Sequence, residues 1–493
     1  MNACVLGSDE QFATLRRILT DAGYEEAAIC RRAGMSRLDQ IITSPARREQ
    51  TPPLEDTLDA LTWLLLEGRA LPSGPSASLL PAGLAGSLAG FGLLLQSTDE
   101  IRCPVALYPA EHLYLVSDRI SDATDSVYPA MEANSRRFLD VLPRDKCKAF
   151  LDLCTGSGIA ALVAARDFAI SAFACDLGAR AAQFAEFNRR LNGLTNLKVE
   201  QGDLYAPFAG RKFDCIVSHP PQVPALKPKN LFSDGGDDGE QVGKHIVESL
   251  PGHLSPGGEF CLLTMGLDTK DAPFEQRARA WLGDARQEFD IALVTRKLLD
   301  PAGFITNSVM RGSTALEQVT RWNELFRSRG ATALVYGTLL MRRKTERRAP
   351  FTVRRQSGET THRRAEMDWL MRWERSVANG TGAKKALDSR LIAAPGAALS
   401  VLNRLRDGDW TPAEYKLQVD YPFPVECKIQ SWIVQLLGLC NGTKTGREQL
   451  RALIAYGMVA KGTSPDQFAQ ALVLLISEGF LQFASGSNII NSI

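Results

Sequence analysis

Apolar and polar positions along residues 136–345 repeat with two different periods. Short apolar runs of strand length alternate with stretches in which apolar residues recur at helical spacing, as in 178–192, 240–250 and 315–328. This alternation predicts an α/β fold with a doubly wound, Rossmann-like and mainly parallel sheet that carries helices on both faces. Seven strands are predicted, at 149–153, 172–176, 197–201, 213–218, 259–264, 291–294 and 333–341.

Residues 1–135 have a different pattern, typical of a small and mostly helical domain. Apolar residues recur at helical spacing from Phe12 to Leu19 and again from Leu58 to Leu65. Two short β-like runs, 105–107 and 113–116, follow towards the end of the segment. Helices followed by a two-stranded wing suit a winged-helix-like module. A helical cap that only covers the next domain suits the same pattern, so both interpretations stay open.

The C-terminal part of the chain divides into two predicted pieces. Residues 342–364 carry nine Lys or Arg against two Glu, and Gly- and Ala-rich stretches follow. We therefore expect a basic linker and helical connection over 346–409. From 410 onwards, three apolar helical patterns and a turn at Asn441-Gly-Thr443 predict a small winged-helix-like module. The predicted domains are 1–135, 136–345, 346–409 and 410–493.

Composition and charge narrow the classes of protein that fit this pattern. The 493 residues are 45% hydrophobic and 23% charged, which is ordinary globular usage for several domains. Because 57 Lys+Arg face 56 Asp+Glu, no global charge attracts nucleic acid or a membrane. The ten cysteines form no Cys-x-x-Cys pair, and reduced thiols in the cytoplasm are expected. The uncharged stretch between Arg69 and Asp99 is broken by Pro and Gly, which favours a buried segment over a membrane span.

The sharpest motif is Phe150-Leu-Asp-Leu-Cys-Thr-Gly-Ser-Gly158, an apolar strand that ends in a glycine turn before a helix. Glycine lets the backbone pass close to a ligand, and the helix start offers unpaired N–H groups. Asp176 ends the next strand 24 residues after Asp152, where doubly wound folds bind ribose hydroxyls. Asp203 follows the third strand and can accept from an adenine amino group, while Leu204 packs against the ring. Together these groups predict a nucleoside-binding site.

On these motifs the chain resembles the class I S-adenosylmethionine-dependent methyltransferases. The segments 213–224 and Asp234-Gly-Gly-Asp-Asp-Gly239 resemble the glutamine N5-methyltransferase-like (small methyltransferase domain) branch, which methylates glutamine amides in release factors and ribosomal proteins. The resemblance implies S-adenosyl-L-methionine as cofactor, S-adenosyl-L-homocysteine as product, and no metal. It also implies contacts of Asp152 and the two glycines with the methionine part, of Asp176 with the ribose and of Asp203 with the adenine. The cofactor-binding residues implied are Asp152, Cys154, Gly156, Gly158, Asp176, Leu177, Asp203, Leu204 and Ser218.

The acceptor side departs from the resembling family, which has Asn-Pro-Pro-Tyr where this chain has His219-Pro220-Pro221-Gln222. An imidazole cannot offer the hydrogen-bonding fork of Asn, and Gln cannot stack as Tyr does. An imidazole can accept a proton from a hydroxyl group or hold a carboxylate. His219 is therefore the predicted catalytic residue, and the predicted substrate-binding residues are Tyr128, Pro220, Pro221 and Gln222.

Other polar residues near these motifs have two interpretations each. Asp234 and Asp237, with the glycines between them, either shape the acceptor rim or form a turn. His245 and His253, on the following predicted helix, are predicted to be structural.

These observations predict a cytoplasmic methyltransferase that acts on a hydroxyl or carboxyl oxygen of a small molecule, in the biosynthesis of a specialised metabolite. The alternative is an N-methyltransferase acting on protein glutamine or an RNA base. A catalytically silent cofactor-binding scaffold is disfavoured because the glycine turn and the three carboxylates are intact. The C-terminal module suits a peptide or carrier-bound acceptor, whereas neither a nucleic acid nor a membrane partner is expected.

Overall fold

The seven predicted strands are all present in the computed structural model. The structure describes residues 4–44, 49, 52–74, 77–120, 123–224, 231–310, 316–357 and 364–484. The chain divides into two compact units, the first comprising Met1–Gly283 with Leu299–Val335 and the second Asp284–Leu298 with Tyr336–Ile493.

The N-terminal part of the first unit consists of short helices and two small sets of strands. Its elements are α1 (Asp9–Asp21), α2 (Glu26–Ala33), α3 (Leu38–Thr43), α4 (Thr57–Leu61), a π-helical turn (Thr62–Glu67), β1 (Leu71–Pro72), a 3-10 turn (Ala77–Leu79), α5 (Leu84–Gly90), β2 (Leu95–Gln96), β3 (Glu100–Arg102), β4 (Ala106–Ala110) and β5 (Leu113–Ser117). Helix α1 begins at a capping box formed by Ser8 and Gln11. It buries the predicted apolar face, Phe12 to Leu19. Strands β4 and β5 pair antiparallel, as the two β-like runs predict.

Strands and helices then alternate through the middle of the chain. They are α6 (Ala133–Asp140), β6 (Cys147–Leu153), α7 (Ile159–Asp167), β7 (Ala169–Asp176), α8 (Ala179–Leu191), β8 (Leu197–Gln201), a 3-10 turn (Ala206–Phe208), β9 (Phe213–Ser218), α9 (Gln241–His253), β10 (Leu254–Thr269), α10 (Phe274–Trp281), β11 (Phe289–Leu299), α11 (Pro301–Met310), α12 (Leu316–Ser328), β12 (Ala331–Arg343) and β13 (Thr352–Gln356).

The sheet of the first unit sets the position of the predicted site. Its strand order is β10–β9–β6–β7–β8, and all neighbouring strands in it are parallel. The chain runs from β6 outward through β7 to β8 and then crosses back to β9. The order therefore reverses between β6 and β9, and ligands of such sheets bind outside the carboxyl ends of the strands at that point.

Helix α8 also covers the outer edge of the β4–β5 hairpin through two asparagines one turn apart. The Asn188 side chain accepts from Val116 N–H at 2.7 Å and donates to the carbonyl oxygen of Val116 at 2.9 Å. The Asn192 side chain makes the same pair of bonds to Tyr114, at 2.9 and 2.7 Å. The side-chain amides thus occupy the hydrogen-bonding positions of a neighbouring strand.

The second unit combines a sheet with a C-terminal set of helices. In its sheet the order is β13–β11–β12, with β11 and β13 parallel. The further elements are α13 (Arg364–Ala378), α14 (Thr381–Asp388), β14 (Arg390–Ala393), β15 (Ala398–Arg406), β16 (Asp409–Val419), β17 (Val425–Ile429), α15 (Ser431–Leu439), β18 (Asn441–Thr445), α16 (Gly446–Ala455), α17 (Pro465–Ser477) and β19 (Leu481–Phe483). Two further three-stranded sheets have the orders β18–β14–β19 and β15–β16–β17.

The basic run in the second unit is neutralised locally. Arg348 pairs with the buried Asp290, its Nη1 donating to Asp290 Oδ1 at 2.8 Å. Further pairs join Arg343 to Glu288, Arg355 to Glu374 and Glu478, and Arg364 to Asp368. Four arginines of the run thus have acidic partners within the unit.

The predicted connection over 346–409 contains β13, α13 and α14, so it is more regular than its Gly and Ala content indicates. Helix α13 buries two tryptophans, Trp369 and Trp373, and the Trp373 indole N–H donates to Ser477 Oγ at 2.7 Å. The bounds of the four domains remain predictions. In the part of the chain that the structure describes, no helix has the length and apolar character needed to cross a membrane.

Candidate functional site

A cavity of about 370 Å³ opens in the first unit at the carboxyl ends of β6, β7 and β9. Its volume lies within the usual range for small-molecule sites. It brings together almost every predicted site residue, and only Gly158 and Ser218 are not in its wall. The predicted residues that line it are Tyr128, Asp152, Cys154, Gly156, Asp176, Leu177, Asp203, Leu204, His219, Pro220, Pro221 and Gln222.

The glycine turn after β6 has the backbone conformation that its sequence predicts. Cys154, Gly156 and Gly158 have φ angles of 56°, 57° and 87°, in the left-handed region. A Cβ at Gly158 would lie 3.0 Å from the Cβ of Ala185 on α8, so this glycine permits close packing behind the turn. Gly156 is in the cavity wall, whereas Gly158 supports it.

Asp176, at the end of β7, joins the glycine turn after β6 to the turn that follows β7. Its Oδ2 accepts from Gly156 N–H and its Oδ1 from Gly178 N–H, both at 2.9 Å. Burial raises the pKa of this carboxyl group, and the two hydrogen bonds oppose the rise. Each oxygen keeps a lone pair that a ligand hydroxyl can use.

Asp152 is the most deeply buried carboxyl group of the cavity, only 2% exposed. Thr155 Oγ1 donates to its Oδ2 at 2.6 Å. Burial raises the pKa of Asp152 to about 7, more than that hydrogen bond lowers it. A cationic ligand group beside this carboxyl group would favour its ionised form.

The turn after β8 presents Asp203 and Leu204 at the outer end of the cavity. Asp203 is exposed, and Leu204 has a φ angle of 47°. Leu177, on the neighbouring turn, is 58% exposed, so its side chain is free to pack against a ligand. Ser218 instead joins two strands outside the cavity wall, because its Oγ donates to the carbonyl oxygen of Leu153 at 2.8 Å.

His219 and Gln222 form a pair in the wall beside β9, with Gln222 Nε2 3.2 Å from His219 Nε2. An amide NH₂ can only donate, so His219 Nε2 is the acceptor and the imidazole is neutral. Burial lowers the pKa of His219 to about 4, which agrees with a neutral ring. The lone pair that a general base needs is therefore engaged by Gln222.

Gln222 leaves one polar atom unused. Its side chain is 7% exposed, and its Oε1 is buried without a hydrogen-bond partner among the described residues. A buried amide oxygen with no donor is costly, so this atom is suited to a donor supplied by a ligand.

The Asp234-Gly-Gly-Asp-Asp-Gly239 segment packs directly on the Gln222 backbone. A Cβ at Gly235 would lie 2.7 Å from Gln222 Cα, and a Cβ at Gly239 would lie 2.5 Å from the Gln222 carbonyl oxygen. Only glycine fits at either position. Asp234 lines the cavity and also closes a local turn, because its Oδ1 accepts from Gly236 N–H at 2.9 Å. Both interpretations of this aspartate thus apply.

Several cavity residues were not predicted from the sequence. Phe232 lies 5.4 Å from Tyr128 between ring centroids, and Phe138 lies 5.6 Å from His219. His245, which is expected to be structural, also lines the cavity. Its position in the first two turns of the helix after β9 is the feature of the sequence that could have indicated this. His253 stacks on Tyr205 at 4.2 Å and is absent from the cavity wall.

The charged residues of the cavity wall are all acidic. They are Asp125, Asp152, Asp176, Asp203 and Asp234, and no Lys or Arg is among the described residues that line it. Such a wall favours cationic or neutral ligands over anionic ones. No group of three or more His, Cys, Asp or Glu side chains within the described ranges is arranged to hold a metal ion.

Comparison with known proteins shows what the region around the cavity is similar to. Residues 127–272 match the Methyltransferase small domain family. Over 164 residues the chain is 34% identical to the ribosomal protein uL3 glutamine methyltransferase of Bradyrhizobium diazoefficiens, covering 30% of this chain and 51% of that protein. It is 31% identical over 163 residues to the protein of the same name from Bordetella pertussis, covering 30% and 55%. The release factor glutamine methyltransferase of Thermodesulfovibrio yellowstonii is 34% identical over 122 residues, covering 22% and 43%.

The chain thus spans about half the length of the first two of these curated relatives. Their names contradict the small-molecule acceptor predicted from the sequence, because each is named for a glutamine in a protein. The physical reason for the error lies at His219. The prediction treated this imidazole as a free base, whereas Gln222 engages its lone pair.

Proposed function

We propose that this chain, which carries a class I S-adenosylmethionine-dependent methyltransferase domain of the glutamine N5-methyltransferase-like branch, methylates the side-chain amide nitrogen of a glutamine in a protein. The observation that carries the proposal is the unpartnered Gln222 Oε1 in the cavity wall, an acceptor suited to an amide N–H. The names of the relatives support the same acceptor.

The residues present fit S-adenosyl-L-methionine, which supplies an activated methyl group when bound. Asp152 would face the cationic methionine part, Asp176 would hold the ribose hydroxyls, and Asp203 with Leu204 would receive the adenine. The acidic wall suits a cofactor that carries both a sulfonium and an ammonium group. The glycine turn would let the backbone pass closely beneath it.

On the acceptor side, the Nε2 of the neutral His219 accepts a hydrogen bond from the side-chain NH₂ of Gln222. This bond leaves Gln222 Oε1 to accept a hydrogen bond from the substrate amide. Tyr128 and Phe232 offer aromatic faces on which a planar amide can pack. Positioning is the main requirement, because in-line displacement at an activated methyl group needs an aligned nucleophile more than a strong base. The amide nitrogen gains the methyl group and loses one proton to solvent.

The acidic charge of the cavity favours a protein glutamine over an RNA base as the methyl acceptor. Phosphates that flank a base would approach a wall with five aspartates and no cation among its described residues. A neutral glutamine side chain meets no such repulsion. We also propose that the protein works in the cytoplasm, since all ten cysteines are free thiols.

The proposal is tested by incubating the protein with labelled cofactor and ribosomal proteins or release factors, and by locating the methyl group by mass spectrometry. Methylation of a glutamine is expected. The Gln222→Leu variant should lose most transfer while it keeps wild-type affinity for the cofactor, because Oε1 touches only the acceptor. Label found only in nucleic acid or small molecules would refute the proposal.

A further inference from the structure

Asp118 lies just beyond the end of β5 and is 2% exposed. Its two oxygens form a fork with Arg180, at 2.5 Å from Nη2 to Oδ1 and 2.8 Å from Nε to Oδ2. Oδ2 also accepts from Val127 N–H at 2.9 Å. Two hydrogen-bond donors from separate parts of the first unit, the Val127 N–H group and the Arg180 guanidinium group, thus meet at one buried carboxylate.

The first group belongs to the segment that forms one wall of the cavity. Val127 and Tyr128 both line the cavity, as do the two residues before them. Ser117, next to Asp118, secures the chain just after this segment, because its Oγ accepts from Ala130 N–H at 3.0 Å. The end of β5 therefore holds the wall segment at Val127 and the chain that follows it at Ala130.

The second group belongs to the start of α8. Arg180 is the second residue of this helix, and its guanidinium lies over the Phe184 ring at 5.0 Å. The turn that precedes the helix contains Asp176, which Gly178 N–H holds at 2.9 Å. Asp176, Leu177 and Ala181 all line the cavity.

We propose that Asp118 is a positioning residue for cofactor binding: it clamps the 125–128 wall segment to the start of α8 and so holds two walls of the cavity at a fixed separation. A bidentate charged pair in a buried position sets distance and orientation more strictly than a single neutral hydrogen bond. The N-terminal region thereby contributes to the cofactor site through a residue outside the methyltransferase signature motifs. The part that concerns the cofactor rests on the proposed function, whereas the clamp itself does not.

A matched control exists elsewhere in the N-terminal region. Asp59, 7% exposed, also accepts a bidentate contact from an arginine, Arg32 Nη1 at 2.9 and 3.0 Å, and one backbone bond from Glu55 N–H. Asp59 does not line the cavity. Asp59→Asn should therefore lower the melting temperature as Asp118→Asn does, without the same effect on the cofactor.

The experiment compares wild-type, Asp118→Asn, Arg180→Lys and Asp59→Asn full-length proteins. Calorimetry should give a Kd for S-adenosylmethionine raised at least tenfold by Asp118→Asn, raised less by Arg180→Lys, and unchanged by Asp59→Asn. At saturating cofactor, kcat of the Asp118 variant should stay within about twofold of wild type, since the site re-forms when occupied. Hydrogen–deuterium exchange should show faster exchange of 125–130 in the Asp118 variant, a smaller increase in the Arg180 variant and no change in the Asp59 variant.

Two outcomes would overturn the inference. One is wild-type cofactor affinity in Asp118→Asn, and the other is an equal loss of affinity in Asp59→Asn. If Asp118→Asn does not fold, Arg180→Lys carries the same comparison. If the wild-type protein binds no cofactor, the proposed function fails, and unchanged exchange of 125–130 in the variant would separately refute the clamp.

Discussion

The Asp176 carboxylate accepts a hydrogen bond from Gly156 N–H at 2.9 Å, so the acid at the end of β7 fixes the glycine turn that follows β6. The same carboxylate holds the start of α8 through Gly178 N–H. One side chain therefore shapes two neighbouring turns of the cavity before any ligand binds. Its substitution should affect the cofactor more than an exposed carboxylate would.

Asp176→Ala should weaken the binding of S-adenosylmethionine strongly. Losing hydrogen bonds to a charged group costs about 1.5–3 kcal/mol, which is roughly 10–150-fold in Kd. Asp203→Ala is the comparison, and a smaller loss is expected because Asp203 is exposed. Calorimetry measures both. Affinity within twofold of wild type in a folded Asp176→Ala protein would contradict the assignment of this site.

Binding of the cofactor should release a proton from Asp152 near neutral pH. The pKa of Asp152 is raised to about 7 by burial, so about half of the free protein carries a protonated Asp152 at pH 7. A cationic ligand would favour the ionised form and lower that pKa. Calorimetry in two buffers of different ionisation enthalpy counts the protons. The Asp152→Asn variant should release fewer, and an equal count would argue against contact between Asp152 and the methionine part.

His219 should make stability fall as pH falls below 6.5. Its pKa is about 4 in the folded protein and about 6.5 in the unfolded chain, so the unfolded chain binds more protons between these values. The free energy of unfolding should drop by up to about 3 kcal/mol over this window. His219→Gln should reduce the slope of unfolding free energy against pH. Denaturation at several pH values tests this, and an unchanged slope would refute a buried neutral imidazole.

Gly235→Ala should impair methyl transfer without weakening cofactor binding. The new Cβ would lie 2.7 Å from Gln222 Cα, so the Gln222 backbone must move and carry Oε1 with it. Gly252→Ala is the control, since a Cβ there meets no atom within 4 Å. Turnover should fall at least tenfold in the first variant and stay near wild type in the second. Equal turnover in both would show that Gln222 need not be held in place.

The double change His219→Asn, Gln222→Tyr would rebuild the Asn-Pro-Pro-Tyr motif of the resembling family. If the acceptor is a glutamine amide, this variant should keep transfer to the native acceptor within about tenfold of wild type. His219→Asn alone should fare worse, because Gln222 loses the partner that fixes its Nε2. Loss of all transfer in a folded double variant would contradict an amide acceptor.

Much of the cofactor side could be predicted because its signals are local in sequence. Asp152 and Asp176 lie at or next to the last residue of β6 and β7, and Asp203 follows β8 by two residues. Parallel strands place those ends at one edge of the sheet. The motif also predicts a cofactor contact at Gly158, which the structure places behind the turn against Ala185. Its partner Ala185 is on another element, so no local pattern reveals the packing.

The acceptor side is less predictable because it depends on contacts between pairs of side chains. The members of such a pair are either distant in sequence, or in contact only in particular side-chain rotamers. His219 and Gln222 are close along the chain, yet the sequence does not show that one engages the lone pair of the other. Phe232 stands opposite Tyr128 only after the chain has passed through β6, β7, β8 and β9. Side-chain chemistry alone therefore favoured a base, and the structure gives a neutral hydrogen-bonding pair.

Asn188 on α8 and Asn192 directly after it also bear on aggregation. The exposed edge of a short hairpin is a site at which another chain can add a strand and start aggregation. Asn188 and Asn192 occupy those backbone groups on β5, so along this edge a foreign strand finds no free donor or acceptor at Tyr114 and Val116. A helix thus terminates the growth of a sheet. Replacing both asparagines with alanine would leave these backbone groups of β5 open to pairing with another strand.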